Sequence, residues 1–363
     1  MPGGPSGYIS VARNFLSYYT GAVAPLPIGY FTIGITHRCG LRCRMCNIWR
    51  RPGEEGAELG CGTWIRRLEK TRLLGRRGHV SITGGEPFLK PGFGGFLRDL
   101  LRLPRVGSVS IATGGTLTER IAADVRGAME GPGGGGRLCV SISLDAAGDL
   151  HDEIRGRKGV FAAVERTIDA LGGLSREFPG LSMLACCTLQ PLNIDRIEGL
   201  EEFCRGKSLP CHFSIIQQAP NLFNLDSDYS AKAFTGAQRR RVREIAGFPG
   251  IDRWFDPAGK RPLRCFAGYS SIYINPSGGV YPCVTMAGME EFLMGSIADV
   301  EIDDVWSSPR AWKARRAVKR CGYTSCWSGC ELDATLCQWG PVNRLVRRAT
   351  MGWVDPYRIL KLV

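Results

Sequence analysis

Residues 36–49 read T-H-R-C-G-L-R-C-R-M-C-N-I-W, and the fold prediction starts from this stretch. Cys39, Cys43 and Cys46 stand in it as a C-x3-C-x2-C array. The array follows Phe31–Thr36, a short run of β-branched and aromatic residues that predicts a strand. The three thiols therefore belong to a loop at the carboxyl end of a strand, where α/β barrels place their chemistry.

Three cysteines on one short loop predict an iron–sulfur site with an open iron. A [4Fe–4S] cluster held wholly by protein takes four cysteines, so three leave one iron for another ligand. The alternatives are unligated thiols and a zinc site in which His37 is the fourth ligand. Zinc sites usually offer paired C-x2-C units with a further Cys or His nearby.

A second motif, Gly84-Gly85-Glu86-Pro87, ends the next predicted strand. Two glycines let the backbone approach a ligand closely, and Glu86 adds an acceptor beside them. With the cysteine array, this motif resembles the radical S-adenosylmethionine (SAM) superfamily. The resemblance implies that SAM chelates the open iron and that the G-G-E-P segment binds its amino group. It also implies one-electron cleavage of SAM to methionine and a 5′-deoxyadenosyl radical, which removes hydrogen from a substrate.

Further SAM contacts are expected from the same resemblance. Relatives commonly have an aromatic residue where this chain has Met45, and methionine is apolar and flexible enough to cover adenine. Ser143 and Asp145 end the fourth predicted strand and occupy the positions of the family's ribose contacts; a helix cap is the alternative. Arg155 is expected to pair with the SAM carboxylate or with an acidic neighbour, Asp152 or Glu153, at the surface.

The barrel prediction comes from alternating apolar runs and amphipathic segments between residues 31 and 217. Such alternation indicates βαβ units and a parallel sheet. Six units predict an α/β fold with a partial (β/α)6 TIM-like barrel, which the resemblance also implies. The predicted strands are Phe31–Thr36, His79–Thr83, Val106–Ala112, Leu138–Asp145, Leu181–Gln190 and His212–Gln217.

A second set of cysteines predicts a small C-terminal cysteine-rich domain. Cys265 and Cys283 flank a predicted hairpin that turns at Asn275–Gly278. The spacing resembles the SPASM and twitch extensions of radical SAM enzymes, and the absence of a leading C-x2-C favours one auxiliary [4Fe–4S] cluster over two. Zinc and disulfides are the alternatives. The predicted ligands are Cys265, Cys283, Cys330 and, as the preferred fourth over Cys321 and Cys337, Cys326.

The expected domain organisation has five parts. They are an N-terminal extension (1–30), the barrel (31–217), a connecting segment on the substrate side (218–260), the auxiliary-cluster domain (261–340) and a basic amphipathic tail (341–363). A short helix within residues 11–19 of the extension is expected to pack on the barrel. The tail is expected to dock on its own domain or to contact an anionic membrane surface.

The composition limits which binding partners and which cellular compartment we expect for the protein. The 363 residues include 15 cysteines and carry a formal net charge of +13. Residues 1–7 do not resemble a cleaved secretory signal, and clustered cysteines in a reducing compartment favour metal ligands over disulfides. We therefore expect a cytoplasmic protein, with peripheral membrane contact as a further expectation. The charge favours an anionic partner. Without any helix-turn-helix, RNA-recognition or zinc-finger pattern, nucleic acid is not expected as a partner.

The sequence therefore predicts a radical SAM enzyme supplied with electrons by a reductant such as ferredoxin or flavodoxin. Many relatives with such extensions modify peptides, so a peptide is the first substrate class; a lipid or small molecule at a membrane surface is the second. The alternative of another class is a non-catalytic iron–sulfur electron carrier or zinc scaffold. Glu86, Ser143 and Asp145 argue against that alternative because a carrier needs no SAM pocket.

Overall fold

The computed structural model describes residues 5–26, 30–50, 58–75, 78–130, 137–225, 227, 229–230, 233–246 and 265–321. Three of the cysteines discussed above, Cys326, Cys330 and Cys337, lie outside these ranges, as does the tail from residue 341 to 363. Their predicted roles stay predictions.

A single sheet organises the described residues, and its first six strands are parallel in the order β6-β5-β4-β3-β2-β1. Each observed strand overlaps one of the six strands predicted from the sequence, so the partial-barrel prediction is confirmed. The strands are β1 (Tyr30–Gly34), β2 (Gly78–Thr83), β3 (Val106–Thr113), β4 (Arg137–Ser143), β5 (Leu181–Leu189) and β6 (Cys211–Ile215).

One helix precedes β1, and the others alternate with the parallel strands or follow the last of them. These helices are α1 (Pro5–Thr20), α2 (Cys61–Lys70), α3 (Phe93–Arg102), α4 (Thr118–Met129), α5 (Asp149–Arg155), α6 (Val160–Glu177), α7 (Ile197–Gly206) and α8 (Gly236–Ala246). Helix α5 was not predicted, because seven mostly polar residues are too few to show helical periodicity. None of the described helices is both long enough and apolar enough to cross a membrane.

The two faces of the parallel strands differ in chemistry. One face carries β-branched side chains that are completely buried, among them Val80, Ile111 and Ile142. Burying such a side chain contributes about 1.5–3 kcal/mol, so this face fixes the register of the sheet. The opposite face carries small polar side chains, which include Thr83 and Ser143 at the carboxyl ends of β2 and β4. The polar face therefore leads to the carboxyl edge of the sheet, where the site lies.

The C-terminal region continues the same sheet. Strand β7 (Ser271–Ile274) pairs in parallel with β1, and β8 (Gly279–Tyr281) and β9 (Gly295–Ser296) follow it antiparallel. The predicted hairpin is present between β7 and β8, and its Gly278 has a φ of +91° that favours glycine. Two helices complete the region, α9 (Ile302–Ser307) and α10 (Pro309–Lys319).

Helix α1 packs on this C-terminal region, whereas the sequence led us to expect contact with the barrel. The ring of Tyr18 lies 4.7 Å from that of Phe266 and 5.0 Å from that of Tyr269. The ring centres of Phe15 and Phe266 are 4.9 Å apart, so the contact between α1 and the C-terminal region is formed by aromatic side chains. The aromatic partners come from far along the chain, and this is why local sequence could not reveal the contact.

Candidate active site at the carboxyl edge of the sheet

The three predicted cluster ligands line one cavity of about 350 Å³, which we call the thiol cavity. Cys39 and Cys46 are partly exposed in its wall and Cys43 is 9% exposed. No two of the described cysteines are joined by a disulfide. In the described part of the chain, no three His, Cys, Asp or Glu side chains lie close enough together to hold a single metal ion.

Burial controls the chemistry of these thiols. It raises the pKa of Cys39 to about 11 and that of Cys46 to about 12. Thiols this buried ionise beside a strong positive charge, and metal ions supply such a charge when they bind thiolates. Sulfur ligands suit iron–sulfur clusters and zinc. The donor set and its place in the wall of a cavity therefore fit an iron–sulfur cluster that keeps one side open to the cavity.

The G-G-E-P segment lies directly against the cysteine loop. The backbone N–H of Gly85 donates to the Thr36 carbonyl over 2.7 Å, and that of Glu86 donates to the Arg38 carbonyl over 2.7 Å. A Cβ atom on Gly85 would overlap the Arg38 carbonyl oxygen. The glycine is thus required by the close approach of two backbones, and the segment fixes the start of the cysteine loop.

Glu86 is 4% exposed and connects the second and third strands. Its carboxylate accepts hydrogen bonds from the Thr113 hydroxyl at 2.9 Å and from the Gly114 N–H at 2.8 Å. Burial raises the pKa of Glu86, against the opposing effect of these bonds. A Cβ atom on Gly114 would lie 2.7 Å from the end of the Leu41 side chain, so a larger residue here would require Leu41 to move.

Arg155 enters the thiol cavity from the last residue of α5. Its guanidinium lies 2.8 Å from the carboxylate of Asp145 and 3.7 Å from the Cys43 sulfur. Its backbone carbonyl accepts from Arg42 N–H, so α5 also holds the cysteine loop through its main chain. The predicted alternative, a surface ion pair with Asp152 or Glu153, is absent: Asp152 accepts from backbone N–H groups and Glu153 pairs with Arg44.

Most of the predicted cofactor-binding residues line the thiol cavity, but two do not. Pro87 begins a buried turn behind Glu86. Asp145 is completely buried and faces Arg155 and the Thr188 N–H, which donates to it over 2.9 Å. The residues that line the cavity are Met45, Gly84, Gly85, Glu86, Ser143 and Arg155, together with the three cysteines.

Two supporting residues were not found from the sequence. Glu58 accepts from the Thr36 hydroxyl and the His37 N–H and pairs with Lys90 over 2.8 Å, with 3% of its side chain exposed. Asn224 is 1% exposed and donates to the carbonyl of Met45 over 2.8 Å. No local pattern marks either residue, because their partners on the cysteine loop are distant in sequence.

The segment after β6, which the sequence predicted as a connecting segment on the substrate side, covers the cysteine loop. The Asn47 N–H donates to the Leu222 carbonyl over 2.8 Å, and the Asn47 side chain donates to the Phe223 carbonyl over 2.8 Å. Phe223 has a φ of +52°, an unusual conformation for a bulky residue. Leu222 reaches the thiol cavity, so this segment forms part of its wall.

A second, smaller cavity of about 80 Å³ adjoins the first; we call it the interface cavity. The two cavities share lining residues, among them Thr83, Gly84 and Leu222. On its other side the interface cavity is lined by Tyr273 and Val284 of the C-terminal region. The C-terminal region thus reaches the mouth of the barrel.

The C-terminal cysteines that the structure describes lie in one apolar cluster. Cys283 is 5% exposed, and Cys265 and Cys321 pack against the same group of residues, which includes Met286 and Phe292. The structure thus groups Cys321, which the sequence ranked behind Cys326, with two of the predicted auxiliary ligands.

The fold and these two groups of thiols define a class of protein. Residues 33–204 match the model of the radical SAM superfamily, so this part of the chain is a radical SAM domain. Residues 265–331 match the SPASM iron–sulfur cluster-binding domain, so the chain is a radical SAM enzyme with a SPASM region. The predictions of SAM, of a [4Fe–4S] cluster and of an auxiliary iron–sulfur region are confirmed.

Similar proteins span most of the chain. It is 25% identical over 350 residues to the antilisterial bacteriocin subtilosin biosynthesis protein AlbA of Bacillus subtilis (strain 168), covering 88% of this chain and 73% of AlbA. It is 26% identical over 341 residues to the PqqA peptide cyclase of Methylobacterium sp. (strain 4-46), covering 85% and 83%. The structure of Streptococcus suis SuiB bound to precursor peptide SuiA has the same fold, with a TM-score of 0.58 at 16% identity and coverage of 87% and 73%.

Proposed function

We propose that the enzyme modifies a peptide by hydrogen abstraction at the thiol cavity. The observation that carries this proposal is the position of the interface cavity, which shares lining residues with the thiol cavity and is also lined by the C-terminal region. The names of its relatives point to the same substrate class: PqqA peptide cyclase is named for a peptide, and SuiB was solved with a precursor peptide.

Cys39, Cys43 and Cys46 are the proposed ligands of the SAM-cleaving cluster, because only these described thiols line the thiol cavity. When bound, the cluster and SAM supply a hydrogen-abstracting radical through one-electron reduction. A ferredoxin or flavodoxin is the proposed electron donor, and a reducing cytoplasm is the proposed location, since exposed iron–sulfur ligands need reducing conditions.

The chain's own residues would bind and orient SAM. Arg155 presents a guanidinium to the cavity, which suits the SAM carboxylate, and it keeps this orientation through Asp145. Ser143 presents a hydroxyl from the end of β4, which suits the ribose. Met45 and Leu222 present apolar surface and exclude water from the same space. Asp145 is therefore proposed as a positioning residue for Arg155 in place of a direct ribose contact.

Glu86 and Pro87 are proposed to act mainly on the protein side of the site. The Glu86 carboxylate already accepts from Thr113 and Gly114, so its capacity to bind the SAM amino group is partly used. Backbone carbonyls of the glycine segment are left to receive the amino group. Pro87 starts the turn that directs Glu86 toward the third strand.

The test begins with anaerobic reconstitution and addition of dithionite and SAM. The expected product is 5′-deoxyadenosine, and Cys43→Ala should abolish its release. Cys61→Ala is the matched control, because Cys61 donates to the Pro91 carbonyl away from the thiol cavity. Peptides encoded beside the gene are then added, and a mass change in one of them is expected. Release of 5′-deoxyadenosine with no change in any such peptide, but with a change in a lipid or small molecule, would replace the substrate class and leave the enzyme class intact.

A further inference from the structure

A cavity of about 540 Å³ lies on the C-terminal region, beside helix α10; we call it the α10 cavity. Apolar side chains form part of its lining: Met286, Met289 and Phe292. Cys321 also lines it, so the α10 cavity adjoins the C-terminal group of cysteines. Methionine adapts its shape to different apolar partners, which suits the binding of irregular side chains. The α10 cavity shares no lining residue with the thiol cavity, so a group bound here is not the group that reacts.

The opposite wall of the α10 cavity is basic. Lys313, Arg316 and Arg320 line it. Their spacing of three and four residues places them on one face of the helix. Within the described ranges none of the three forms an ion pair. One carboxylate, that of Glu291, also lines the cavity, so the charge facing it is net positive.

The other cations of α10 have different partners. Arg310 pairs with Glu290. Arg315 is completely buried, where it donates to the Gly268 carbonyl over 2.7 Å. Lys319 donates to the Tyr18 carbonyl. Cations near a helix C-terminus interact favourably with the helix dipole and so stabilise the helix. This effect does not explain why the cations on the cavity face an apolar surface. Arg315 and Lys319 thus have carbonyl partners, whereas the three cations on the cavity have neither an ion pair nor a side-chain hydrogen bond within the described ranges.

We propose that the α10 cavity binds an acidic, apolar segment of the peptide substrate, separate from the part that is modified. This inference rests on the proposed function. Carboxylates of the segment would meet Lys313, Arg316 and Arg320, and its apolar side chains would fill the space over Met286 and Phe292. A concave cavity favours a peptide over a membrane, because a flat bilayer surface does not enter such a site. The site would hold the substrate while another segment reaches the thiol cavity.

A selection experiment tests this inference with peptides of random sequence. Such peptides, displayed on phage, are selected against the anaerobic full-length holoprotein and against the triple variant Lys313→Gln/Arg316→Gln/Arg320→Gln. Peptides enriched on the wild type should combine Asp or Glu with Leu, Ile or Phe. The best of them should bind the triple variant about tenfold more weakly, because three partly exposed charge pairs are lost. Added salt should weaken wild-type binding.

Arg310→Gln is the matched control, since it removes a cation from the same helix outside the cavity. It should bind the selected peptides like the wild type. Both variants should keep wild-type 5′-deoxyadenosine release, which separates a failure of this inference from a failure of the proposed function. Enrichment of peptides without acidic residues, or equal binding by the triple variant, would overturn the proposal. Binding to phosphatidylglycerol vesicles that the triple variant loses, without acidic peptide enrichment, would overturn it too and assign the surface to a membrane.

Discussion

The guanidinium of Arg155 lies 2.8 Å from the carboxylate of Asp145, and this pair is buried beside Cys43. The side chain of Asp145 is completely buried and that of Arg155 is 10% exposed. Attraction to Asp145 and Cys43 raises the pKa of Arg155 despite burial, which acts in the opposite direction. The cation is therefore a permanent feature of the thiol cavity, and Asp145 determines where it points.

Asp145→Asn should destabilise the protein by about 3–5 kcal/mol, because it leaves the buried Arg155 cation without its counter-ion. It should also weaken SAM binding as the guanidinium loses its fixed position. Chemical denaturation of the anaerobic protein and equilibrium SAM binding measure the two effects. Asp149→Asn, at an exposed position of the helix that carries Arg155, should change neither appreciably. The double variant Asp145→Asn/Arg155→Gln should lose less stability than the sum of the single variants. Additive losses would show that the two side chains act independently.

Gly85→Ala should lower iron content and destabilise the protein by about 1–3 kcal/mol, because its methyl group overlaps the Arg38 backbone and must displace the cysteine loop. Iron analysis and thermal unfolding under argon measure both effects. Gly95→Ala is the control. Nothing lies within 4 Å of a Cβ atom on Gly95, which is inside α3, so alanine there should stabilise the helix by up to about 1 kcal/mol. Normal iron content in Gly85→Ala would mean that the loop tolerates the displacement.

Asn224→Ala should cost about 2 kcal/mol or more and weaken SAM binding. The amide of Asn224 donates to the carbonyls of Met45 and Gln217 and accepts from the Ala219 N–H, so alanine leaves three buried backbone groups without this partner. Denaturant unfolding and SAM titration provide the readouts. Leu225→Ala, next to it and 50% exposed, should be close to wild type. If both variants behave alike, the segment after β6 does not hold the cysteine loop.

Cys265→Ala, Cys283→Ala and Cys321→Ala should each reduce the iron bound per chain by about four atoms, the content of one [4Fe–4S] cluster. SAM cleavage should persist in each, since the thiol cavity keeps its three cysteines. Iron analysis and electron paramagnetic resonance of the reduced protein distinguish the clusters. Cys61→Ala serves as the control for loss of a thiol. An unchanged iron content in Cys321→Ala would return the fourth position to Cys326 or Cys337.

The sequence predicted what depends on local patterns. Alternating strands and helices identified the barrel, and the spacing of Cys39, Cys43 and Cys46 placed three thiols on one loop. The glycine motif was found for the same reason, since Gly84 and Gly85 are adjacent to Glu86 in sequence. Each of these features is determined within a short window, where hydrophobic periodicity or motif spacing carries the information.

The parts that escaped prediction are contacts between distant segments. Asp145 and Arg155 were recognised as polar residues near the cofactor, but their pairing depends on α5, which is too short to show a period. Glu58 and Asn224 stabilise the cysteine loop from positions without any motif. A buried carboxylate or amide is recognisable only once its partners are known, because burial is a property of the fold and polar residues are mostly exposed.

The parallel pairing of β1 with β7 has a consequence for protein engineering. The pairing aligns Phe31 with Ile272 and Thr32 with Tyr273, so the barrel and the SPASM region are not interchangeable modules. A chimera that joins this barrel to a relative's C-terminal region must reproduce that alignment side chain by side chain. A barrel cut off before β7 would leave β1 as an unpaired edge strand. Exposed edge strands pair with other chains and promote aggregation.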